Sequence, residues 1–165
     1  MPDFPPLIAD ERAMLTAWLD FHRRTLLDKC DGLEPRQLAA RSVPPSTLSL
    51  LGIVRHAAEF EAFWFRRVFL DETFSPRYST REDRDAAFDG ASPDNAAAGF
   101  AAFDDACGRS RQIAAAAGSF DDVGRRRFGA EEVSLRWIVV HLIGEYARHN
   151  GHADLLRQAI DGAVD

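Results

Sequence analysis

Apolar residues return every three to four positions along four long stretches of the chain, a period that predicts helices. The first begins at Asp10, a residue suited to an N-cap. It runs through ERAMLTAWLDFHRRTLLDKC, with Met14, Trp18, Phe21, Thr25 and Leu26 on one face, and Asp31-Gly32 ends it. Glu34-Pro35 opens a short helical turn over PRQLA, and an irregular stretch leads to Pro44-Pro45. Ser46 or Thr47 then caps a second long helix, LSLLGIVRHAAEFEAFWFRRVFL. Residues 71–92 hold no period and read as a long crossover with a helical turn inside it, a kind of connection that is uncommon and often functional. Ser92-Pro93 starts a third helix that Gly118 ends. A polar loop through Gly124 and Gly129 reaches the fourth, Ser134–Ile160, closed by Gly162. No stretch alternates at period two. The expectation is an all-α four-helix bundle, one domain over residues 1–165, with a long connection between helices 2 and 3 that lets those two run parallel.

The fourth helix carries the chemistry. Its apolar stripe passes through Ile138, His141 or Leu142, Glu145, His149, His152 and Leu156. A carboxylate on such a face needs a partner, because an unpaired buried charge costs several kcal/mol or more. A bound cation answers that need, with His149 one turn away to share it. On the second helix His56 also lies on an apolar face, with Ile53 three before it and Phe60 four after it. Alone, such a histidine is ordinarily a hydrogen-bonded core residue. Beside a Glu and a His at i, i+4 spacing it becomes the third member of an open metal site.

Composition narrows the field. The chain has 165 residues, 46% hydrophobic and 28% charged, as expected of a globular protein. A net charge of −6 argues against nucleic acid as a partner, and Arg125-Arg126-Arg127 reads as a solvated patch. Cys30 and Cys107 show no paired spacing and are expected as free buried thiols. The opening MPDFPPLIADE lacks a basic and apolar leader, and no apolar run approaches a membrane span. The expectation is a cytoplasmic protein without a membrane partner. Lys29 is the one lysine among twenty basic residues, a bias typical of high-GC bacterial genomes.

Other metal patterns fit less well. A di-iron bundle needs Glu-x-x-His on two helices, and HExxH is absent. Two histidines and one carboxylate also describe the non-haem iron triad, which the ligand types leave open. His141 is positioned to orient Glu145 or simply to fill core. His152 is a second helper, a proton shuttle or a partner of Asp154, and His22 reads as surface. Arg55 and Arg148 flank the proposed ligands and are candidates for holding an acidic substrate or thiol carboxylate at the rim. Phe60, Phe63, Trp64, Phe65 and Phe69 exceed one stripe, which suggests a pocket wall or, better, a homodimer face.

Two strings, LGIVRHAAEFEAFW and WIVVHLIGEYARHNGHADLLRQAIDG, resemble the DinB-like superfamily of helical bundles over essentially the whole chain. Within it the chain is similar to the uncharacterised actinobacterial members and to the branch that includes mycothiol-dependent maleylpyruvate isomerase. The second string is the specific one. Many relatives carry His-x-x-x-His in this helix; here the two positions are Glu145 and His149. The resemblance implies a divalent metal, zinc first and nickel or iron as alternatives, held by His56, Glu145 and His149 with solvent completing the shell. It also implies mycothiol or a similar small thiol, used by an S-transferase or isomerase acting on small electrophiles in detoxification. The isomerase carries a further C-terminal domain that contributes to its site, which weights the expectation towards transfer. A non-catalytic metal-binding or stress-response bundle is the alternative.

Overall fold

A computed structural model describes residues 4–164. Helix α1 spans Glu11–Asp28, α2 Pro35–Leu38, α3 Leu50–Ala62, α4 Ala86–Asp89, α5 Ala96–Ala116 and α6 Leu135–Asp161. Among the described residues there are two isolated β-bridges, in the loop between α5 and α6, and no strand, so the chain is all-α. None of the described helices is long and apolar enough to cross a membrane.

Most helix ends obey their sequence signals. The side chain of Asp10 accepts from the Ala13 N–H, Ser134 accepts from that of Trp137, and Gly162 stops α6 at φ 79°. The third helix starts through a 3-10 turn, Pro93–Asn95, and its α-helical part ends at Ala116, before Gly118. The cap of α3 is a correction: it is Ser49, accepting from Gly52, rather than Ser46 or Thr47. Ser46 is already committed, since its Oγ accepts from the Leu48 N–H in the preceding turn.

The second long helix also changes form. From Phe63 to Phe69 it widens into a π-helix, with Leu70 donating to Phe65 five residues back. The wider turn keeps Trp64, Phe65, Val68 and Phe69 all buried. Phe60 is buried too and Phe63 half-buried. These aromatic side chains are thus largely covered within one chain.

Helix α3 packs on α5 and on α6, and α1 packs on α6. The pairing directions follow from which residues meet. Gly99, early in α5, lies against Leu51 and Arg55, and Cys107 reaches Glu61 farther along, so α3 and α5 run parallel. Glu11 meets Arg136 and His22 meets Asn150, making α1 and α6 parallel as well. His56 meets His149 while Trp64 meets Trp137, so α3 and α6 are antiparallel. Small residues (Ala58 and Ala62 facing Ala102 and Ala106) let α3 and α5 approach closely.

On α1 the fully buried row is Leu19, Arg23 and Leu26, whereas Met14, Trp18, Phe21 and Thr25 are only half-buried. Leu26 lies where the expected face put it, while the rest of the buried row falls at Leu19 and Arg23, next to the expected Trp18 and near Phe21. The loop after α5 docks through Gly124, where a Cβ would stand 2.9 Å from the Val68 carbonyl oxygen. Gly124→Ala is expected to cost about 1–3 kcal/mol by overpacking against backbone that cannot yield. Urea denaturation should show a lower midpoint at unchanged slope.

Candidate metal centre

His56 stands one and a half turns into α3, and Glu145 and His149 share one face of α6 four residues apart. Because α3 and α6 are antiparallel neighbours, these three side chains converge. One ligand atom from each lies within 4.8 Å of the others. Nε2 of His149 is 3.8 Å from Oε2 of Glu145, and the two imidazole centroids are 5.0 Å apart. Two ligands on one tetrahedral zinc ion would lie roughly 3.3 Å apart, given bonds of about 2.0–2.1 Å. Closing the observed spacing takes only small rotamer shifts.

The electrostatics suit ligation. His149 is buried and its Nδ1 has no hydrogen-bond partner. Burial, with the nearby His56, His152 and Arg148, pushes its pKa down to about 3. The ring is therefore neutral at pH 7, and its contact with Glu145 is not an ion pair. Burial lowers the pKa of His56 as well, outweighing the carboxylates of Glu145, Glu59 and Asp85. Two neutral imidazoles with one carboxylate form a donor set that fits a divalent cation.

The crossover covers this site from one side. Phe88 of α4 lies 4.7 Å from the His56 ring and 6.1 Å from that of His149, centroid to centroid. Its backbone can come so close because residue 52 is glycine: a Cβ there would meet the Phe88 Cα at 3.1 Å. Arg55 holds the same segment down, donating to the carbonyls of Gly90 at 2.6 Å and Ala86 at 3.3 Å, with its guanidinium over the Tyr78 ring. Glu59 accepts from the backbone N–H groups of Tyr78 and Ser79. Arg55 is thus a buried strut under the crossover and not a rim residue; its guanidinium is spent on the carbonyls of Ala86 and Gly90.

Arg148 does occupy the rim, two-thirds exposed, with a nitrogen 3.9 Å from Oε1 of Glu145. His141 is stacked flat on Trp137 and edge-on to Trp64, an aromatic cluster one turn from Glu145. His152 sits edge-on to His149, 5.4 Å between centroids, with its own Nδ1 buried and unpartnered. Its suggested partner Asp154 pairs with Lys29 at 2.8 Å instead. His22 is half-buried rather than on the surface, its backbone carbonyl accepting from Asn150. Cys30 and Cys107 are both free and buried.

A second polar cluster lies in the core behind the candidate ligands. Glu61 is fully buried and accepts two hydrogen bonds of 2.7 Å from Arg23 and one of 2.8 Å from the Tyr146 hydroxyl. Burial opposes the charge of Arg23, but the Glu61 carboxylate and its hydrogen bonds more than offset that. Tyr146, also fully buried, is held neutral by burial and by Glu61. The sequence offered one signal of this cluster, the acidic Glu61 inside the apolar run AAEFEAFW, opposite Arg23 on a stripe of leucines.

Helices alone, with a convergent His/Glu/His set between two of them, define an all-α protein with a candidate metal centre. A comparison with family models places it more narrowly: residues 14–162 match the model described as Mycothiol-S-transferase, and the chain belongs to that family. No curated protein matches the chain.

Proposed function

We propose that the protein is a divalent-metal-dependent mycothiol S-transferase that joins the thiol to small electrophiles, built as a DinB-like four-helix bundle. The observation that carries this reading is the convergence of His56, Glu145 and His149 to within 4.8 Å in a chain of the mycothiol-S-transferase family. The paired directions of the four long helices support the bundle assignment.

When bound, a divalent cation lowers the pKa of a thiol from about 8.5 so that the thiolate forms at neutral pH. His56 and His149 keep lone pairs available because burial holds both rings neutral. Glu145 supplies one negative charge, leaving the centre one positive charge to match a single thiolate. Phe88 shields the histidine rings from water on the crossover side. Arg148 stands at the exposed edge, where a polar group of the thiol or electrophile would arrive. In the transfer the thiol sulfur bonds to the electrophilic carbon, the leaving group departs with its electron pair, and the thiol proton passes to solvent.

Elemental analysis of purified protein tests the reading, with Glu145→Ala and His149→Ala beside the wild type. About one equivalent of metal is expected in the wild type and little in either variant, with mycothiol transfer to monochlorobimane falling at least a hundredfold, as when a group acting in the transition state is lost. Metal retained in both variants, or no transfer by fully loaded wild type, would overturn it.

A further inference from the structure

One sizeable cavity lies away from the candidate metal centre. It is a slot of about 590 Å³ between α1 and α5, within the size range of small-molecule sites. Val139, which borders it, precedes Glu145 by about 9 Å along α6, at 1.5 Å per residue.

The slot exists because both helices turn small residues towards it. Ala13 and Ala17 on α1 face Ala114 and Ala115 on α5, above a floor of Leu19 and Phe65. An apolar groove this large is a candidate for an occupant. Its ends are tied. Arg12 donates to the carbonyls of Ala114 at 2.9 Å and Ala117 at 3.2 Å, and Arg111 donates to Asp20 at 2.9 Å. A helix from another chain, about 10 Å across, would have to break these ties to enter. A small molecule would not.

The polar groups say what kind of molecule. Asp10, Arg12, Asp20, Arg23 and Arg111 all line the slot, and each already has a hydrogen-bond partner. Each charged side chain there thus has its hydrogen bonding met within the chain. Ser110 differs: it lines the slot, is 1% exposed, and its Oγ has no hydrogen-bond partner. A buried hydroxyl without a partner is costly, and a ligand oxygen would relieve it.

We propose that the α1–α5 slot is a second binding site, for a neutral and mainly apolar small molecule whose single hydroxyl or carbonyl group pairs with Ser110. The site is independent of the metal reading, since it shares no residue with the His/Glu/His set.

Titration of the intact protein with 1-octanol, followed by amide chemical shifts, tests the site. Saturable shifts confined to the residues around the slot, on α1, α5 and near Phe65 and Val139, are expected, and Glu145→Ala should bind octanol as the wild type does, whatever becomes of the metal. Ala114→Leu, which fills the slot with a good helix former, should abolish binding while leaving the melting temperature at or above that of the wild type. Ser110→Ala should weaken binding about fivefold, the worth of one net hydrogen bond. No saturable shift up to the solubility limit of octanol would overturn the proposal. So would binding that survives Ala114→Leu or is unchanged by Ser110→Ala. A dimer that Ala114→Leu dissociates would assign the slot to a second copy of the chain instead.

Discussion

Glu61→Ala is expected to destabilise the protein by about 3–5 kcal/mol, because it strands a buried guanidinium. Arg23 has 4% of its side chain exposed and depends on Glu61 for two of its hydrogen bonds, the third going to Asp20. Tyr146 loses its acceptor at the same stroke. A buried ion pair need not stabilise a fold relative to an apolar core, so the double variant Arg23→Met, Glu61→Leu should recover most of the loss. Recovery should stop short of complete, since the Tyr146 hydroxyl would keep only its 3.8 Å contact with Cys107. Urea denaturation of the three proteins decides the matter. A single variant that costs less than about 1 kcal/mol would mean that water enters the cluster and solvates Arg23.

Metal-free protein is expected to lose stability as pH falls below about 6.5, and His149 should supply much of that loss. Its folded pKa, about 3, is below the ordinary histidine value of 6.5, so acid protonates the unfolded chain first. Between those two values each pH unit favours unfolding by about 1.4 kcal/mol for this group, or about 2 kcal/mol by pH 5. His22, His56 and His141 are shifted in the same direction, each by burial. Carboxylates such as Glu72, lowered by its bonds to Arg66 and Arg109, also lose their contribution in acid. Comparison with His149→Gln isolates the one residue: the variant should show a shallower decline between pH 6.5 and pH 4. Parallel curves would show that His149 takes up its proton in the folded state.

The helices were legible because their signals are local. Asp10, Ser134 and Gly162 act within one turn of themselves, and an apolar period survives any tertiary arrangement. Ser49 was missed because three candidate caps crowd residues 46–49, and only the turn at Ser46 decides among them. The π-helix was not legible at all: an α-helix and a π-helix share the same apolar residues, and packing chooses between them. The candidate ligands could be grouped from spacing and chemistry, since two lie four apart on one helix and His56 shares their apolar setting. Arg55 was misassigned for the opposite reason. Its position beside His56 is local information, but its partners, the carbonyls of Ala86 and Gly90, belong to a crossover without periodicity. Arg23 and Glu61, thirty-eight residues apart, needed the fold before they could be paired.

The parallel pairing of α3 with α5, and of α1 with α6, bears on how the molecule is made. Parallel neighbours cannot be joined by a tight turn, so contacts between distant parts of the sequence must form before local ones can hold them. The donors converge only when α6 docks against α3. If the proposed centre takes up a metal, its capture should follow that docking, and the capture rate would report when α6 closes on α3.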